Sequence, residues 1–373
     1  MKLKIRKSEL SQATSRSQGS VSDRTIVHLG LKAEKESLHV SVADRVIVVY
    51  SDLDAQVLEE GSAFVPARLF SDVVKELPEG NVLLESKESS LKITAGAGDE
   101  FVMTIPMVED KVWREPPVVD SGNVADLPSE NFHYMIDQVQ FCVAQESPRN
   151  YGAVGYLHKP AGDQLRLVGT DGFRLSYSEI ELDLPESFLE EGVCLSKRAL
   201  SEMQRMCGEG FERIKVAISD DKTVLSATVP GYQIYVRLSS VKYPNYQGVL
   251  PKEDLTPVVV SRPYLQSVIK RVLVAADKTR ALQLSFADDS LTLSSRNVGR
   301  SEGVECISLK DYDGGDKDIA VNGKFLTDVF STIGSDEVTL NIKSEAEPIV
   351  VIPKKEPGGC CSMHVLVPIK ETK

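Results

Sequence analysis

The residues whose types and spacing most suggest chemistry lie in LVGTDGFRLSYSEI, from Leu167 to Ile180. The centre of this segment, Thr170 to Arg174, holds a hydroxyl, a carboxylate, a glycine and a guanidinium. Acyl or phosphoryl transfer at such a site also needs a base, oriented donors or a metal. No histidine falls in a recognisable motif with these residues, and the chain contains no P-loop or GxGxxG motif. An enzyme is therefore the less favoured of the alternatives.

Length and composition favour a protein with more than one globular domain. The chain has 373 residues, and single cores stop growing near ~250–300 residues. No apolar segment resembles a secretory signal or approaches the ~18 residues that span a bilayer, so we expect a cytoplasmic protein without a membrane partner. The net charge of −12 disfavours a protein that coats nucleic acid generally, but it permits a local basic strip.

The cysteines give no sign of a metal site. Those at positions 142, 194, 207 and 306 lie in apolar patterns and are predicted to be small buried hydrophobes. Cys360 and Cys361 follow two glycines, and no second Cys or His pair has the spacing of metal ligands. We therefore expect reduced thiols, no metal and no cofactor.

Two sequence blocks occur three times. The first predicts a strand end, a turn and an amphipathic helix in FVPARLFSDVVKEL (64–77), CLSKRALSEMQRMC (194–207) and AVNGKFLTDVFSTI (320–333). The second predicts a strand with one buried face in DRVIVVYSD (44–52), DQLRLVGTD (163–171) and DSLTLSSRN (289–297). In this alignment Asp171 takes the position of Asp52 and Asn297. The polar corner is therefore part of a repeated scaffold, and the middle copy differs in the Gly172–Leu175 that follows.

A weaker third block opens each copy with a helix near Ser8, Ser129 and Ser261, and alternating strands fill the remaining sequence. Segments rich in Pro, Gly, Asp and Asn separate the copies at 109–128 and 245–257. We therefore predict an α+β protein with three tandem domains of one fold, over residues 1–120, 128–252 and 256–373.

Basic residues recur at matching positions of the repeated helices. Arg68 and Lys75 are seven residues apart, so they share a face opposite the apolar stripe. A solvated surface is the simpler interpretation, and neighbouring Asp and Glu dilute the charge. Cations without aromatic partners nevertheless suit loose contact with DNA phosphates. The candidate DNA-facing residues are Arg24, Arg68, Lys75, Lys197, Arg198, Arg205, Lys270 and Lys324.

These repeats, together with TDGFRLS (170–176), YPNYQGVLP (243–251) and HVLVPIK (364–370), resemble the β subunit of bacterial DNA polymerase III, the sliding-clamp family. The resemblance covers essentially the whole chain. It implies the DNA-clamp fold, with helices lining a pore, antiparallel sheets outside and two chains closing head-to-tail into a ring. It also implies a non-catalytic processivity factor that encircles duplex DNA without reading its sequence and tethers the polymerase. A clamp loader would open the ring.

The resemblance further implies a pocket between the second and third domains. This pocket would take a short apolar peptide from polymerases, the clamp loader, repair polymerases and mismatch-repair proteins. Branched apolar side chains suit such a ligand, and a glycine lets it approach closely. The residues carried over are Thr170, Gly172, Phe173, Arg174, Leu175, Pro244, Val249, Val365, Val367, Pro368 and Ile369.

Several positions depart from the family pattern. Gly248 stands where an Arg is frequent, the segment 148–156 differs in spacing, and the chain continues to Glu371–Lys373. The first domain also lacks an Arg cluster that some relatives place at the dimer seam, so closure would depend on strand pairing and apolar contacts. The seam residues that we expect are Phe101, Met103, Leu273 and Val274. A repeat scaffold that binds only proteins is the remaining alternative, and the basic strip distinguishes the two.

Overall fold

The computed structural model describes most of the chain, namely residues 1–17, 27–109, 111–119, 122–145, 150–251, 255–287, 289–310 and 312–369. Arg24, the first two residues of the 148–156 segment and the terminal residues 370–373, all considered above, lie outside these ranges.

Each third of the chain repeats one order of elements: a strand, a helix, a group of strands, a second helix and three strands. The first third contains β1 (Lys2–Arg6), α1 (Lys7–Ser17), β2 (His28–Glu34), β3 (Ser37–Ala43), β4 (Ile47–Asp54), β5 (Gln56–Glu59), β6 (Gly61–Pro66), α2 (Ala67–Glu76), β7 (Asn81–Lys87), β8 (Ser90–Ala95) and β9 (Phe101–Pro106). The second contains β10 (Val124–Pro128), α3 (Ser129–Gln140), β11 (Val154–His158), β12 (Gln164–Thr170), β13 (Arg174–Glu181), β14 (Val193–Ser196), α4 (Lys197–Cys207), β15 (Arg213–Ile218), β16 (Val224–Val229) and β17 (Tyr232–Arg237). The last contains β18 (Thr256–Ser261), α5 (Arg262–Val272), β19 (Ala281–Ala287), β20 (Ser290–Asn297), β21 (Ser301–Ser308), β22 (Lys317–Asn322), α6 (Gly323–Thr332), β23 (Glu337–Ile342), β24 (Ile349–Pro353) and β25 (Cys361–Leu366). This order confirms three tandem α+β domains.

The chain forms two compact units, and each contains two antiparallel sheets. Unit 1 comprises residues 1–129, 185–188 and 198–239, with sheets of order β5-β1-β7-β8-β9 and β6-β2-β3-β4-β17-β16-β15-β10. Unit 2 comprises residues 130–184, 189–197 and 240–373, with sheets of order β21-β20-β19-β22 and β14-β11-β12-β13-β25-β24-β23-β18.

Each eight-stranded sheet joins strands from two successive repeats. In unit 1, β4 pairs with β17, and Val48 lies opposite Tyr235. In unit 2, β13 pairs with the last strand of the chain, β25, and Leu175 lies opposite Val365. Strand pairing therefore fixes the β12–β13 hairpin beside the C-terminal strand.

Amphipathic helices cover the inner faces of the sheets. Phe70 of α2 is buried among Leu3, Leu29 and other side chains of unit 1, and Phe330 of α6 is buried with Leu340 in unit 2. Burying one such side chain stabilises the fold by roughly 1.5–3 kcal/mol. Burial of the apolar stripe against a sheet is the main source of stability of each helix. For this reason the apolar stripes in the sequence predict the helices.

The helix starts differ in how they are capped. Asn322 caps α6, since its side chain accepts hydrogen bonds from the backbone N–H groups of Lys324 and Phe325 at 3.0 and 3.4 Å. Helix α3 begins at Ser129 as predicted, but the Ser129 hydroxyl does not cap it, because this hydroxyl is buried without a hydrogen-bond partner. Strand β10 leads directly into α3, and the backbone N–H of Ser129 donates instead to the carbonyl of Glu212 at 3.0 Å.

All six cysteines are free thiols. The prediction that four of them are buried is correct for Cys142, Cys194 and Cys207 but wrong for Cys306. Cys306 lies on β21, the outermost strand of its sheet, where alternate side chains point to solvent. Among the helices of the described ranges, none is long and apolar enough to cross a bilayer.

Two histidines of the eight-stranded sheet of unit 2 are buried. The Nδ1 atom of His364 lies 2.9 Å from the Ser176 hydroxyl, and the Nε2 atom of His158 lies 2.9 Å from the Tyr246 hydroxyl. Burial lowers the pKa of His364 to about 3. Burial, with a smaller contribution from Arg166, lowers the pKa of His158 to about 4. Both rings are therefore neutral in the folded protein near neutral pH.

Acidification should destabilise the protein through these rings. Because the unfolded histidines take up protons below about pH 6.5 and the folded ones do not, the free energy of unfolding should fall between pH 6.5 and 4. Each ring contributes up to roughly 1.4 kcal/mol per pH unit. Urea denaturation of wild type and His364→Gln across this range tests the effect: the variant should be less stable at pH 7.5 but show a shallower pH dependence. Equal slopes would contradict the assignment.

Candidate functional site

The polar stretch between β12 and β13 builds a hairpin turn. The Asp171 carboxylate accepts hydrogen bonds from the backbone N–H groups of Phe173 and Arg174 at 2.9 and 3.0 Å. The Thr170 hydroxyl donates to the Arg174 carbonyl at 2.7 Å and accepts from the N–H of Gly172 at 3.1 Å. Gly172 has a φ of 87°, a conformation that favours glycine. The carboxylate and hydroxyl are thus engaged in holding the backbone.

The β3–β4 hairpin of unit 1 contains the same turn. There the Asp44 carboxylate accepts hydrogen bonds from the N–H groups of Val46 and Ile47 at 2.7 and 2.8 Å. The structural counterpart of Asp171 is therefore Asp44, and the alignment with Asp52 was wrong by one strand. Consecutive antiparallel strands share the same apolar alternation, so periodicity alone does not distinguish them.

Arg174 is held by contacts on several sides. Its guanidinium donates to the Asp171 carboxylate at 3.0 Å, to the Asp328 carboxylate at 2.8 Å and to the Phe141 carbonyl at 2.9 Å. The guanidinium carbon lies 4.2 Å from the centre of the Phe325 ring. Burial opposes the charge, but Cys142 together with the carboxylates of Asp328 and Asp171 outweighs it, and the pKa of Arg174 is raised. Arg174 therefore acts as a fixed part of the wall more than as a free donor.

A cavity of about 780 Å³ opens beside this turn. Its wall includes eight of the eleven residues predicted for the peptide pocket: Thr170, Gly172, Arg174, Leu175, Pro244, Val249, Val365 and Val367. Further lining residues include Tyr151, Asn245, Tyr246, Gly248, Leu250, Pro251, Leu255, Lys343, Glu347 and Pro348. We refer to this cavity as the pocket.

The remaining three predicted residues lie next to the pocket. Phe173 is 60% exposed at the tip of the turn. Pro368 and Ile369 line a neighbouring cavity, and Val367 lies in the wall of both this cavity and the pocket. The N–H of Ile369 donates to the Ala320 carbonyl at 2.7 Å, which holds Ile369 in the wall of that neighbouring cavity.

Aromatic side chains fix the 243–251 segment against the sheet. The Tyr243 ring stacks on Tyr156 with centroids 4.9 Å apart. The Tyr246 hydroxyl accepts a hydrogen bond from Arg166 at 3.0 Å. The Tyr246 side chain lies in the same apolar cluster as Leu175 and Val365. These contacts place Pro244 and Val249 in the pocket wall.

Sequence reasoning missed the pocket residues between β23 and β24. Lys343 and Glu347 form an ion pair of 3.2 Å at the pocket, next to Pro348. No motif singles out this polar loop. The order β25-β24-β23 brings it to the pocket, so a correct strand order was the signal that could have found it.

The predicted DNA-facing cations on the second helix of each repeat lie beside carboxylates. Lys75 and Arg68 are exposed on α2. The distances between charged atoms are 3.9 Å for Lys75 and Asp72, 2.7 Å for Arg205 and Glu202, and 3.1 Å for Lys324 and Asp328. Exposed pairs such as Lys75–Asp72 contribute little to stability, so their cations can exchange partners with phosphates, whereas the carboxylate beside Arg205 is buried.

The other predicted cations are less uniform. Arg198 forms an ion pair with Asp44, and Lys270 is exposed on α5. Lys197 is half-buried, and burial together with the charge of Arg174 lowers its pKa. Lys197 is therefore the least accessible of these residues to a phosphate.

Sequence models of one family match the chain from end to end. The N-terminal, central and C-terminal domains of the DNA polymerase III beta subunit match residues 1–110, 126–245 and 247–366. The chain belongs to the DNA polymerase III beta-subunit family. It is accordingly a non-catalytic processivity subunit, a sliding clamp that works with DNA and the polymerase.

Individual relatives of this family are distant in sequence but similar over their full length. The beta sliding clamp of Caulobacter vibrioides is 24% identical, covering 99% of this chain and 100% of that relative. The beta sliding clamp of Chlamydia pneumoniae is 25% identical, covering 99% of each. Among solved structures, the Pseudomonas aeruginosa clamp bound to griselimycin and the Thermotoga maritima beta subunit each have a TM-score of 0.89 at 22% identity, with 99% of each chain covered.

Most side chains predicted for the dimer seam of the clamp face inward. Phe101 and Met103 are partly buried against the core of unit 1, and Leu273 is 9% exposed in the core of unit 2. Val274 is 86% exposed. Val102, which lies between the two inward-facing side chains of Phe101 and Met103, is 54% exposed. Phe101 and Met103 lie on β9, whereas Leu273 and Val274 lie in a short 3-10 helix (Leu273–Ala275) that packs against β21. Strands β9 and β21 each form the outer edge of a sheet.

A buried Cys–Ser–His arrangement in this clamp differs from an active site. The Cys142 thiol lies 3.2 Å from the Ser176 hydroxyl, which lies 2.9 Å from His364. Burial raises the pKa of Cys142 to about 12, so the thiol is not a nucleophile near neutral pH. Within the described ranges, no cluster of three or more His, Cys, Asp or Glu could hold a metal.

Asp328 should stabilise unit 2 by neutralising Arg174. We expect Asp328→Asn to lower the free energy of unfolding by about 1–3 kcal/mol, because it removes a charged hydrogen-bond partner from a buried guanidinium. Asp72→Asn is the matched control, since Asp72 holds the same helix position and lies 3.9 Å from the exposed Lys75 at the surface. Its effect should stay below about 0.5 kcal/mol. Equal losses in urea denaturation would contradict the role assigned to Asp328.

Proposed function

We propose that the pocket of unit 2 binds short apolar peptide segments of clamp partners: the replicative polymerase, the clamp loader, repair polymerases and mismatch-repair proteins. The observation that carries the proposal is the position of the pocket, whose 780 Å³ are bounded by the turn, the last strand and the 243–251 segment. We also propose that the protein acts in the cytoplasm, where the bacterial chromosome is copied.

The chemistry of the pocket suits an apolar anchor residue. Leu175, Val249, Val365 and Val367 supply branched apolar surface, while the polar groups of Thr170 and Arg174 are already used by the turn. A peptide would therefore gain affinity mainly by burying apolar side chains. Gly248 leaves open space where its side chain would be, so polar anchoring falls to residues such as Asn245 and Lys343.

A charge placed in the pocket should abolish peptide binding. Val367 is 47% exposed, so Val367→Glu should fold normally yet weaken binding of a C-terminal peptide of the cognate polymerase at least roughly tenfold. Val259→Glu is the matched control, because Val259 is 42% exposed on β18 and is not a pocket residue. Fluorescence polarisation measures affinity, and sedimentation confirms the dimer. Unchanged affinity in Val367→Glu would refute this pocket.

We also propose that two chains close head-to-tail around duplex DNA. The exposed edges of β9 and β21 offer unpaired backbone groups for strand pairing between copies, with Val102 and Val274 at the surface and Phe101, Met103 and Leu273 behind them. The recurring cations Arg68, Lys75, Arg198, Arg205, Lys270 and Lys324, with Lys197 and Arg24, would meet the phosphates. Their neighbouring carboxylates favour weak contacts that allow sliding.

Charge reversal of this surface should reduce loading without opening the ring. We expect Arg68→Glu with Lys270→Glu to lower the amount of clamp loaded on nicked circular plasmid by cognate loader and ATP, with the largest deficit relative to wild type at low salt, because salt screens the charges that were reversed. Clamp that has been loaded should still stay on circles and be lost after linearisation. The control, Lys4→Glu with Lys92→Glu, changes the net charge equally at exposed strand positions. Equal loading by both variants would refute the DNA-facing assignment.

A further inference from the structure

A second cavity of about 840 Å³ lies on unit 1. It crosses the outer face of the eight-stranded sheet, opposite the core, and the 111–114 segment borders it. We call it the groove; its lining includes His28, Gly30, Ser41, Ala43, Asp44, Arg45, Val46, Val48, Tyr50, Phe64, Lys111, Val112, Arg114 and Arg198.

The groove occupies the same place in the scaffold as the pocket. The two eight-stranded sheets have equivalent strand orders, with hairpin β3–β4 in the place of β12–β13. Counted from the turn aspartates, Val48 corresponds to Leu175 and Tyr50 to Tyr177. Cross-strand polar pairs also correspond: His39 Nδ1 lies 2.6 Å from Asp52, and Arg166 Nε lies 2.7 Å from Glu179.

The side chains that fill this place differ between the two units. Gly30, which is opposite Ser41 on the neighbouring strand, takes the position that Tyr156 has in unit 2. A side chain at Gly30 would meet the Phe64 ring at 2.8 Å and the Ser41 hydroxyl at 2.9 Å. The Phe64 ring and the Ser41 hydroxyl therefore occupy the space above Gly30, and the floor of the groove combines the small residues Gly30, Ser41 and Ala43 with the aromatic rings of Tyr50 and Phe64.

The rim of the groove is basic in a chain with a net charge of −12. Arg45, Lys111 and Arg114 are exposed around it. Asp44 is the one acidic residue of the described lining, and it is bound by Arg198 and the turn. Burial and the charge of Lys111 lower the pKa of His28.

We infer that the groove binds an acidic peptide segment of a partner protein, with an apolar residue on the floor and carboxylates at the basic rim. The inference rests on the proposed peptide-binding role of the pocket, because it extends that role to the equivalent place in unit 1. A partly apolar cavity of this volume favours a peptide over nucleic acid, whose phosphates need only an open basic surface.

Trp113, the single tryptophan of the chain, provides a built-in reporter for this groove. Its ring lies 6.2 Å from that of the lining residue Tyr50, and its sequence neighbours line the groove. We would titrate the intact dimer with a peptide of about eight alternating glutamates and leucines, and with the same peptide carrying glutamines. The glutamate peptide should change Trp113 emission and bind roughly tenfold more tightly than the glutamine peptide at low salt.

Two variants test charge and shape separately. Arg45→Glu with Lys111→Glu should weaken the glutamate peptide at least roughly tenfold. Ala43→Phe, which fills the exposed floor without changing charge, should weaken it as well. Lys4→Glu with Lys92→Glu, the control of equal net charge, should leave the affinity unchanged.

Three results would overturn the inference. The first is that Trp113 emission does not respond to the glutamate peptide. The second is that the control, Lys4→Glu with Lys92→Glu, weakens peptide binding as much as Arg45→Glu with Lys111→Glu does. The third is that a short single-stranded oligonucleotide displaces the peptide, which would make the groove a nucleic-acid site. Binding of the polymerase peptide and its loss in Val367→Glu are measured in the same preparations. A failure of the groove is thereby distinguished from a failure of the pocket.

Discussion

The antiparallel pairing of β13 with β25 is the constraint on which the pocket depends. It places Leu175 opposite Val365, two residues that are 190 positions apart in the chain. Because side chains alternate between faces, a slip of β25 by one residue would turn Val365 away from the pocket while Leu175 on β13 stayed in place. The burial of Val365 with Tyr246 and Tyr177 opposes such a slip. The last strand of the chain thus completes a site begun in the second repeat.

Charge placement distinguishes this site from the equivalent positions of the scaffold. Each second helix of a repeat carries an acidic residue near its basic one, but Asp328 alone among these described pairs also binds a buried guanidinium, that of Arg174. One carboxylate is therefore shared between the pocket wall and Lys324, a proposed contact to DNA. Because Arg174 is largely shielded from water, its electrostatic interaction with the shared carboxylate is stronger than that of an exposed ion pair.

Sequence periodicity predicted the elements better than it predicted their correspondence. Helix α2 and the strand β12 were found because apolar spacing reflects burial, yet Asp171 was matched with Asp52 in place of Asp44. The true equivalence lies in two backbone hydrogen bonds to a carboxylate, which no hydropathy pattern records. Glu347 was missed for a related reason: its approach to the pocket follows from the order of strands.

The groove could not be predicted from the sequence because its parts are unremarkable along the chain. Gly30 is one glycine within a strand, and Arg45 and Lys111 are ordinary surface cations separated by 66 positions. Only the equivalence of the two hairpins shows that Gly30 stands where Tyr156 fills the other sheet. Since the turn is held by its aspartate and by backbone pairing, the outward side chains are free to differ without disturbing it. One scaffold can then present an apolar site in one unit and a basic site in the other, each with its own class of ligand.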